Sequence, residues 1–496
     1  MMVADRVPVL VGIGVATQRQ DDPARAMDPL ALMLQAVRMA GQDAGAAGLL
    51  PALDRILVPK GRWNHADPAR SIAAAIGAAR GGTVLSTVGV LQQTLIGMAC
   101  AAIAEGDIEA AMVVGGDTGY RILRSQITGY EPTAPDEPGG APDVLLSPKE
   151  ELRHPAELRA GLRMPVGLYA IMESAFRARR GWSVDAHRDR IAAIYSRFSA
   201  IAADNPAAWT RKAMPPEAIR SASDRNAMQA FPYTKLMCSS WNVDQAAALL
   251  FCSARKAAAL GIDRDRWIFP WASTESNHMV PVSARAELDA CPGAGIAGRA
   301  ALEPFGIVPA DIDLIDLYSC FPLAVEVYAA ELGIDPGRDL TVTGGMSFAG
   351  GPYNNYVLQS TARMGQLLRE AGKGTGLVSS VSGALTKQGF CLWSVNPAPD
   401  GFRFVDTTAL VAQSSAVKPV VMDFVGPGRI AGYTVVYERS RPPRAVVVAD
   451  LEDGLRSVAT SDDPGIIARL QAQEFCGAPI VLNRETFALA TGSGLV

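Results

Sequence analysis

The sequence predicts an α/β fold built as two comparable halves, followed by a smaller β-rich unit. Apolar strands alternate with amphipathic helices from the N-terminus, which indicates layered α/β structure with mainly parallel pairing. The same order of elements returns from about Trp267, without obvious sequence identity. Beyond about residue 410, short strands punctuated by Gly and Pro take over. At 496 residues the chain exceeds a single ordinary core, so two or three units are expected.

Each element follows from its local pattern. Val9–Ile13 reads as the first strand, and Pro29–Ala40 as a helix with apolar residues at helical spacing. A strand at Leu53–Val58, a helix at Pro68–Ala78 and a strand at Thr83–Ser86 come next. A long helix from about Val88 to Glu105 leads to the strand Ala110–Val114, closed by Gly115-Gly116. The second half reads as strand Asp313–Leu317, helix Pro322–Leu332, short strand Thr341–Thr343 and helix Tyr356–Ala371, then closing strands Leu377–Val381 and Phe390–Val395.

The C-terminal unit reads as strands Val417–Phe424, Gly432–Tyr437, Arg444–Ala449, Leu455–Thr460 and Pro479–Leu482. One helix, Pro464–Gln473, interrupts them behind the capping run Ser461-Asp462-Asp463. Such a pattern predicts a small antiparallel β-barrel, with an OB-type barrel as one form. The expected division is residues 1–265, 266–409 and 410–496.

Between about Tyr120 and Ser240 the regular alternation stops. A Pro-rich acidic loop (EPTAPDEPGGAPD) precedes basic helices at Pro165–Arg180 and Asp185–Ala203, which reads as an inserted loop domain. Arg177, Arg179 and Arg180 lie close together there. A solvated helix face is the plain reading, with phosphate binding as its rival.

Hydrophobic residues make up 49% and charged residues 19%, with a net charge of −4 and no Lys/Arg run of consequence. That balance argues against a nucleic-acid partner, which needs a basic surface. No apolar stretch reaches the roughly 18 residues of a membrane span, and the N-terminus reads as a strand rather than a signal peptide. The seven cysteines form no CxxC pair, so neither a disulfide framework nor a zinc ribbon is indicated, and no metal is expected. A cytoplasmic location is the expectation.

Several segments, in order over residues 5 to 400, resemble the thiolase superfamily. They are VLVGIG, the helix near VLQQ, VVGGD, SSWNVDQAAALLFCS, IDLIDLYSCFP, LTVTGGMSFAGGPYNNY and SSVSGALTKQGFCLWS. GGPYNNY and GALTKQ resemble a group usually named acetyl-CoA acetyltransferase, and other segments the sterol-carrier-protein type of thiolase. The resemblance implies two βαβ-based halves in a five-layered αβαβα core with an inserted loop domain.

It also implies an acyltransferase site whose reactive groups are replaced. Family members use a cysteine thiolate at a helix N-terminus, a proton-shuttling second cysteine, and a histidine and an Asn- or His-held water that form oxyanion holes. At those positions this sequence has Thr87, Val381, Gly351 and Tyr318, with Ser319 in place of an acidic neighbour. No member of the reactive set is intact. Thr87 reads more simply as an N-cap. Cys320 and Cys391 read as buried and inert, and Cys100 is too far along its helix to act for Thr87. Tyr318, Ser319, Tyr353, Asn354, Asn355 and Lys387 are the candidates to line a pocket.

Three functions follow as expectations. One is a thiolase-like protein of acyl-CoA or lipid metabolism that binds CoA or an acyl-CoA without thiolase activity. The second is retro-aldol cleavage of a CoA-linked side chain, for which Tyr318, Tyr353 and Lys387 are the titratable groups. The third is a non-catalytic scaffold or partner subunit. No cofactor is expected beyond a CoA ester as ligand. The family default is a dimer, with a monomer as the alternative.

Overall fold

The structure, a computed structural model, describes residues 4–131, 140–438, 441–491 and 494–495. The first half forms β1 (Pro8–Gln18), α1 (Pro29–Ala44), β2 (Arg55–Pro59), α2 (Pro68–Ile76), β3 (Gly82–Ser86), α3 (Gln92–Glu105) and β4 (Ala110–Thr118). An excursion follows, made of α4 (Gly119–Thr128), β5 (Val144–Leu146), α5 (Pro155–Arg159), α6 (Pro165–Arg179), α7 (Val184–Asp204), α8 (Pro216–Arg220), β6 (Met228–Ala230) and β7 (Tyr233–Thr234). The chain returns through β8 (Asp244–Ser253) and α9 (Ala254–Ala259).

The second half is β9 (Phe269–Ser276), α10 (Pro292–Leu302), β10 (Leu314–Asp316), α11 (Pro322–Leu332), α12 (Gly345–Phe348), α13 (Tyr356–Ala371), β11 (Thr375–Ser382), β12 (Lys387–Ser394), β13 (Arg403–Asp406) and α14 (Thr408–Ser414). The remainder is β14 (Val425–Glu438), β15 (Arg441–Asp450), β16 (Arg456–Ser461), α15 (Pro464–Ala472), β17 (Pro479–Asn483), β18 (Thr486–Thr491) and β19 (Gly494–Leu495).

Local chemistry sets the helix ends. At α1 the Asp28 carboxylate accepts from Ala31 N, Pro29 opens the first turn and Gly45 closes the helix in the left-handed region. Asp67, Pro68 and Gly77 do the same for α2.

Two mixed sheets form the core. The first has the order β1-β8-β4-β2-β3-β5 and the second β10-β11-β12-β9-β13. Residues along β8 alternate between two interiors. Ala246, Ala248 and Leu250 pack with Leu32, Met33 and Ala36 of α1, while Ala247, Leu249 and Phe251 join Leu95 and Ile96 of α3. Helices α3 and α13 touch strands of both sheets, and α10 covers the far side of the second. The layers therefore run helix, sheet, helix, sheet, helix. The turns after β3 and β10 and the turn before α13 open onto this middle helical layer.

At the C-terminal end β14, β15, β16, β18 and β17 pair in succession, and β17 returns to β14, so five strands close into a ring. The contact of β16 with β18 is a single pair, Thr460↔Thr486. The ring stands where the small barrel was expected. It is tied to the excursion, because β6 pairs with β14 and Ser174 Oγ on α6 accepts from Tyr433 N at 2.8 Å.

Several expectations need correction. Pairing is mixed rather than mainly parallel, since β1/β8, β8/β4, β11/β12 and β12/β9 are antiparallel. Thr341–Thr343 is not a strand, because the Val342 and Thr343 amides donate to the buried Asp316 carboxylate instead of a ladder. Val417–Phe424 makes only isolated bridges, Arg285↔Val417 and Val420↔Arg456. The strand β13 and helix α14 were not anticipated. β13 runs parallel to β9 at the edge of the second sheet.

The three arginines at the C-terminal end of α6, Arg180 just beyond it, share no face for an anion. Arg177 is buried on Glu474 and Tyr433, Arg180 lies over the Phe176 ring at 3.4 Å, and Arg179 is exposed. Residues 132–139 of the Pro-rich loop lie outside the described residues. Among the described residues, no helix is long and apolar enough to cross a membrane.

Candidate functional site

Strand β3 delivers Thr87 to a tight turn rather than to a helix cap. Thr87 N donates to Leu146 O, Gly89 takes φ 103, and Gln92 is the first residue of α3. Leu91 occupies the cap position without a side-chain hydrogen bond, so the expected N-cap role of Thr87 is wrong. The Thr87 hydroxyl instead meets Ser147 Oγ at 3.2 Å. The turn reaches back into a loop of the excursion, which separates threonine from the helix.

Gln92, buried at the start of α3, is the hub that the sequence reading missed. Its Oε1 accepts from Val357 N at 2.7 Å, and its Nε2 donates to Asn354 Oδ1 at 3.3 Å. The same side chain faces the Tyr318 hydroxyl and opposes the rise of its pKa. Gln92 thus joins the Thr87 turn, the Tyr318 turn and the Tyr353–Asn355 loop.

Tyr318 is buried, and burial, with Cys320 adding to it, raises its pKa well above the usual tyrosine range. Its ring meets Tyr356 edge-on at 5.6 Å, and its amide donates to Ser379 Oγ at 2.8 Å. Ser319 is committed to structure, because its Oγ accepts from Met346 N at 2.9 Å. Below these turns the Asp316 carboxylate accepts from Thr341, Val342, Thr343 and Tyr356. Burial pushes its pKa up to about 6.

Gly351 is anchored by its amide to Ser240 O at 2.9 Å. A Cβ there would lie 2.7 Å from Ser239 Oγ and 3.1 Å from Met346 Cε. The room that loss of a ring would leave is therefore filled by Ser239 and Met346. Two residues on, Tyr353 holds φ 25, a region that disfavours a bulky side chain. Asn354 Nδ2 and both polar side-chain atoms of Asn355 are buried without a hydrogen-bond partner among the described residues. Unpaired buried amides are uncommon and mark a place where a polar group is wanted.

Val381 is buried on β11 and pairs with Gln388. Lys387, on β12, is only 2% exposed. Its ammonium donates to Gly89 O at 3.3 Å and lies 3.9 Å from the Glu150 carboxylate. Burial lowers its pKa, with Glu150 and Glu275 opposing the shift. Glu275 bonds Thr94 Oγ1 and Asn277 Nδ2, and burial raises its pKa. A glutamate as the one charged residue of a buried strand, β9, was the available sequence signal for it.

Burial drives the thiols toward the protonated form. Burial pushes Cys320 up to about 12 and Cys291 up to about 11, and raises Cys100 and Cys391 as well. A cavity of about 200 Å³ lies on the other side of the β11–β12 hairpin, lined by His278, Arg285, Cys291, Thr386, Gln388 and Val411 among others. None of the predicted pocket residues lines it.

Comparison with known proteins places this geometry in context. The chain is similar to a monomeric SCP2-thiolase-like protein type 1 from Mycobacterium smegmatis, with 26% identity and a TM-score of 0.82, over 99% of this chain and 100% of that one. It is also similar to a structure described as the Ltp2-ChsH2(DUF35) aldolase, with 18% identity and a TM-score of 0.60, over 79% of this chain and 99% of that one. That second likeness shows the fold alone. Over 104 residues, 21% of the chain, it is 30% identical to the acetyl-CoA acetyltransferase of Methanocaldococcus jannaschii, and the match spans 26% of that relative's length. No protein-family model matches the chain. With the two sheets, the helices between them and the ordered motifs, these likenesses establish that the chain belongs to the thiolase superfamily.

Proposed function

We propose that this protein binds CoA or an acyl-CoA in acyl-CoA or lipid metabolism and does not catalyse thiolysis or condensation. The observation that carries the reading is the Gln92 hub. It ties together the turns on which family members place their reactive groups, while Thr87, Tyr318, Gly351 and Val381 supply none of those groups. The unpaired amides of Asn354 and Asn355 support a polar ligand there. We further read residues 1–265, 266–409 and 410–496 as three units, the last a β module carried by the thiolase-like core, and the protein as cytoplasmic.

Titration calorimetry of the full chain with CoA and medium-chain acyl-CoAs tests the binding. Heat of association is expected for at least one thioester. Absence of heat and of any thermal shift at millimolar ligand would remove the binding claim and leave a scaffold or partner-subunit role.

A second reading, retro-aldol cleavage of a CoA-linked side chain, is favoured by Lys387. A buried ammonium of lowered pKa, reaching the Thr87 turn, is a group that general acid/base chemistry uses. Release of a ketone or aldehyde from a hydroxyacyl thioester, followed by chromatography, separates this reading from the first.

A further inference from the structure

Away from these turns, three helices bring acids and an imidazole to one buried point. Glu173 on α6, His187 on α7 and Glu326 on α11 are all buried, and one ligand atom from each lies within 4.8 Å of the others. His187 Nε2 is 2.5 Å from Glu173 Oε1 and 3.8 Å from Glu326 Oε2.

The outer partners hold each carboxylate so that one oxygen faces the centre. Tyr233 donates its hydroxyl to Glu173 Oε2, and Arg190 Nε donates to Glu326 Oε1 at 2.9 Å. That leaves Glu173 Oε1 and Glu326 Oε2 turned toward His187. Glu326 Oε2 is buried and has no hydrogen-bond partner among the described residues. Two carboxylates out of water at this separation repel each other unless a proton or a cation lies between them. Arg190, bonded from outside on the opposite oxygen, does not fill that position.

Among the described residues His187 Nδ1 has no hydrogen-bond partner. Trp182 stacks on it at 5.4 Å and 19°. Nε2 therefore points at the carboxylates through that stacking and its hydrogen bond with Glu173 Oε1.

We propose that Glu173, His187 and Glu326 bind one structural divalent cation of the zinc type, which pins the inserted helices α6 and α7 to α11 of the second half. Two carboxylate oxygens and one imidazole nitrogen are a donor set that zinc accepts. A tetrahedral zinc site has ligand–ligand edges of about 3.4 Å, so the shorter contact here has to open and the longer one to close slightly. A neutral imidazole is required, so the proton shared by His187 and Glu173 leaves as the ion enters. Sequence spacing gives no sign of this site, because its ligands come from three separate helices.

The test uses the full-length chain, purified without a histidine tag and analysed for metals by mass spectrometry. Close to one zinc or other first-row divalent ion per chain is expected. It should be retained during native dialysis against EDTA, because the ligands are buried, and released in guanidinium. Refolding with Co²⁺ should give a visible absorption band.

Glu326→Gln keeps the shape and removes the charge, and it should bring the metal content down to the buffer level in protein that retains its circular dichroism. His187→Ala should do the same, and where it fails to fold, Glu326→Gln and the cobalt band decide. The proposal is overturned if the wild-type chain holds no metal above a buffer control and shows no cobalt band after refolding. It is equally overturned if Glu326→Gln binds metal as the wild type does.

Discussion

The Lys387 ammonium on β12 donates to the carbonyl of Gly89, on the turn after β3, at 3.3 Å across 298 residues of sequence. This contact closes the second half of the chain onto the turn that carries Thr87. The ammonium is buried at some cost, and its acidic neighbour Glu150 is half exposed, so little net stability comes from the pair. Lys387→Met keeps the stem and removes the charge. Its melting temperature should stay within a few degrees of the wild type, while affinity for a CoA ester should fall about tenfold, the worth of one charge-assisted hydrogen bond. Unchanged calorimetric affinity would take Lys387 out of the pocket.

Acetoacetyl-CoA thiolysis and condensation should both be undetectable. Among the described residues the Thr87 hydroxyl is hydrogen-bonded to a serine hydroxyl and to no base, and every thiol for which a shift is resolved is driven toward the protonated form. Thr87→Cys should not restore turnover, because groups that act as a unit are strongly non-additive. Turnover by either protein within a hundredfold of an ordinary enzyme's roughly 1–10³ per second would contradict the reading.

Gly351→His should destabilise rather than rescue. A Cβ already lies within 2.7 Å of Ser239 Oγ, so an imidazole must displace Ser239 and Met346. Overpacking of this kind costs about 1–3 kcal/mol, readable as a lower urea midpoint at unchanged slope.

Stability should fall as pH rises from about 4 to about 6. The folded chain holds the Asp316 proton up to about 6, above the ordinary aspartate value, so the folded state binds more protons than the unfolded chain through that window. Asp244 is likewise raised to about 6 and adds to the slope. Asp316→Asn keeps one acceptor oxygen for the Thr341–Thr343 segment and removes the titration. Denaturation midpoints from pH 4 to 7 should show a shallower fall in Asp316→Asn than in the wild type, and parallel curves would refute the assignment.

Arg177 couples the excursion to the C-terminal ring. Its guanidinium donates to Glu474 Oε2 at 2.8 Å and to the Tyr433 hydroxyl at 2.7 Å. Arg177→Ala leaves the buried Tyr433 hydroxyl facing a cavity while Glu474 keeps some access to water, a loss of about 1–3 kcal/mol. Scanning calorimetry should show the melting temperature fall. A change of less than a degree would mean that α6 and the ring are held together by apolar packing alone.

Much of the architecture was legible because it rests on local chemistry. The helices Pro322–Leu332 and Tyr356–Ala371 were read with their observed ends, since Pro opens the first and Gly333 and Gly372 in the left-handed region close both. The core strands were legible because sheets buried on both faces need nearly continuous apolar runs. The errors fall where a side chain diverts the backbone. Asp316 takes the amides that Thr341–Thr343 would have given to a ladder, and the turn through Gly89 separates Thr87 from its helix.

By itself the sequence determined the alternation of elements, the superfamily resemblance and the residue types at the reactive positions. These depend on hydrogen bonding and burial within a few residues of each position. Only the tertiary structure decided that Gln92 joins Tyr318 to Asn354, that Lys387 meets Gly89, and that Glu173, His187 and Glu326 share one buried point. A periodic pattern records which face of an element is covered, not which distant group covers it. That partner is chosen when sheets and helices from different parts of the chain pack together, and the polar groups they bury must then find one another.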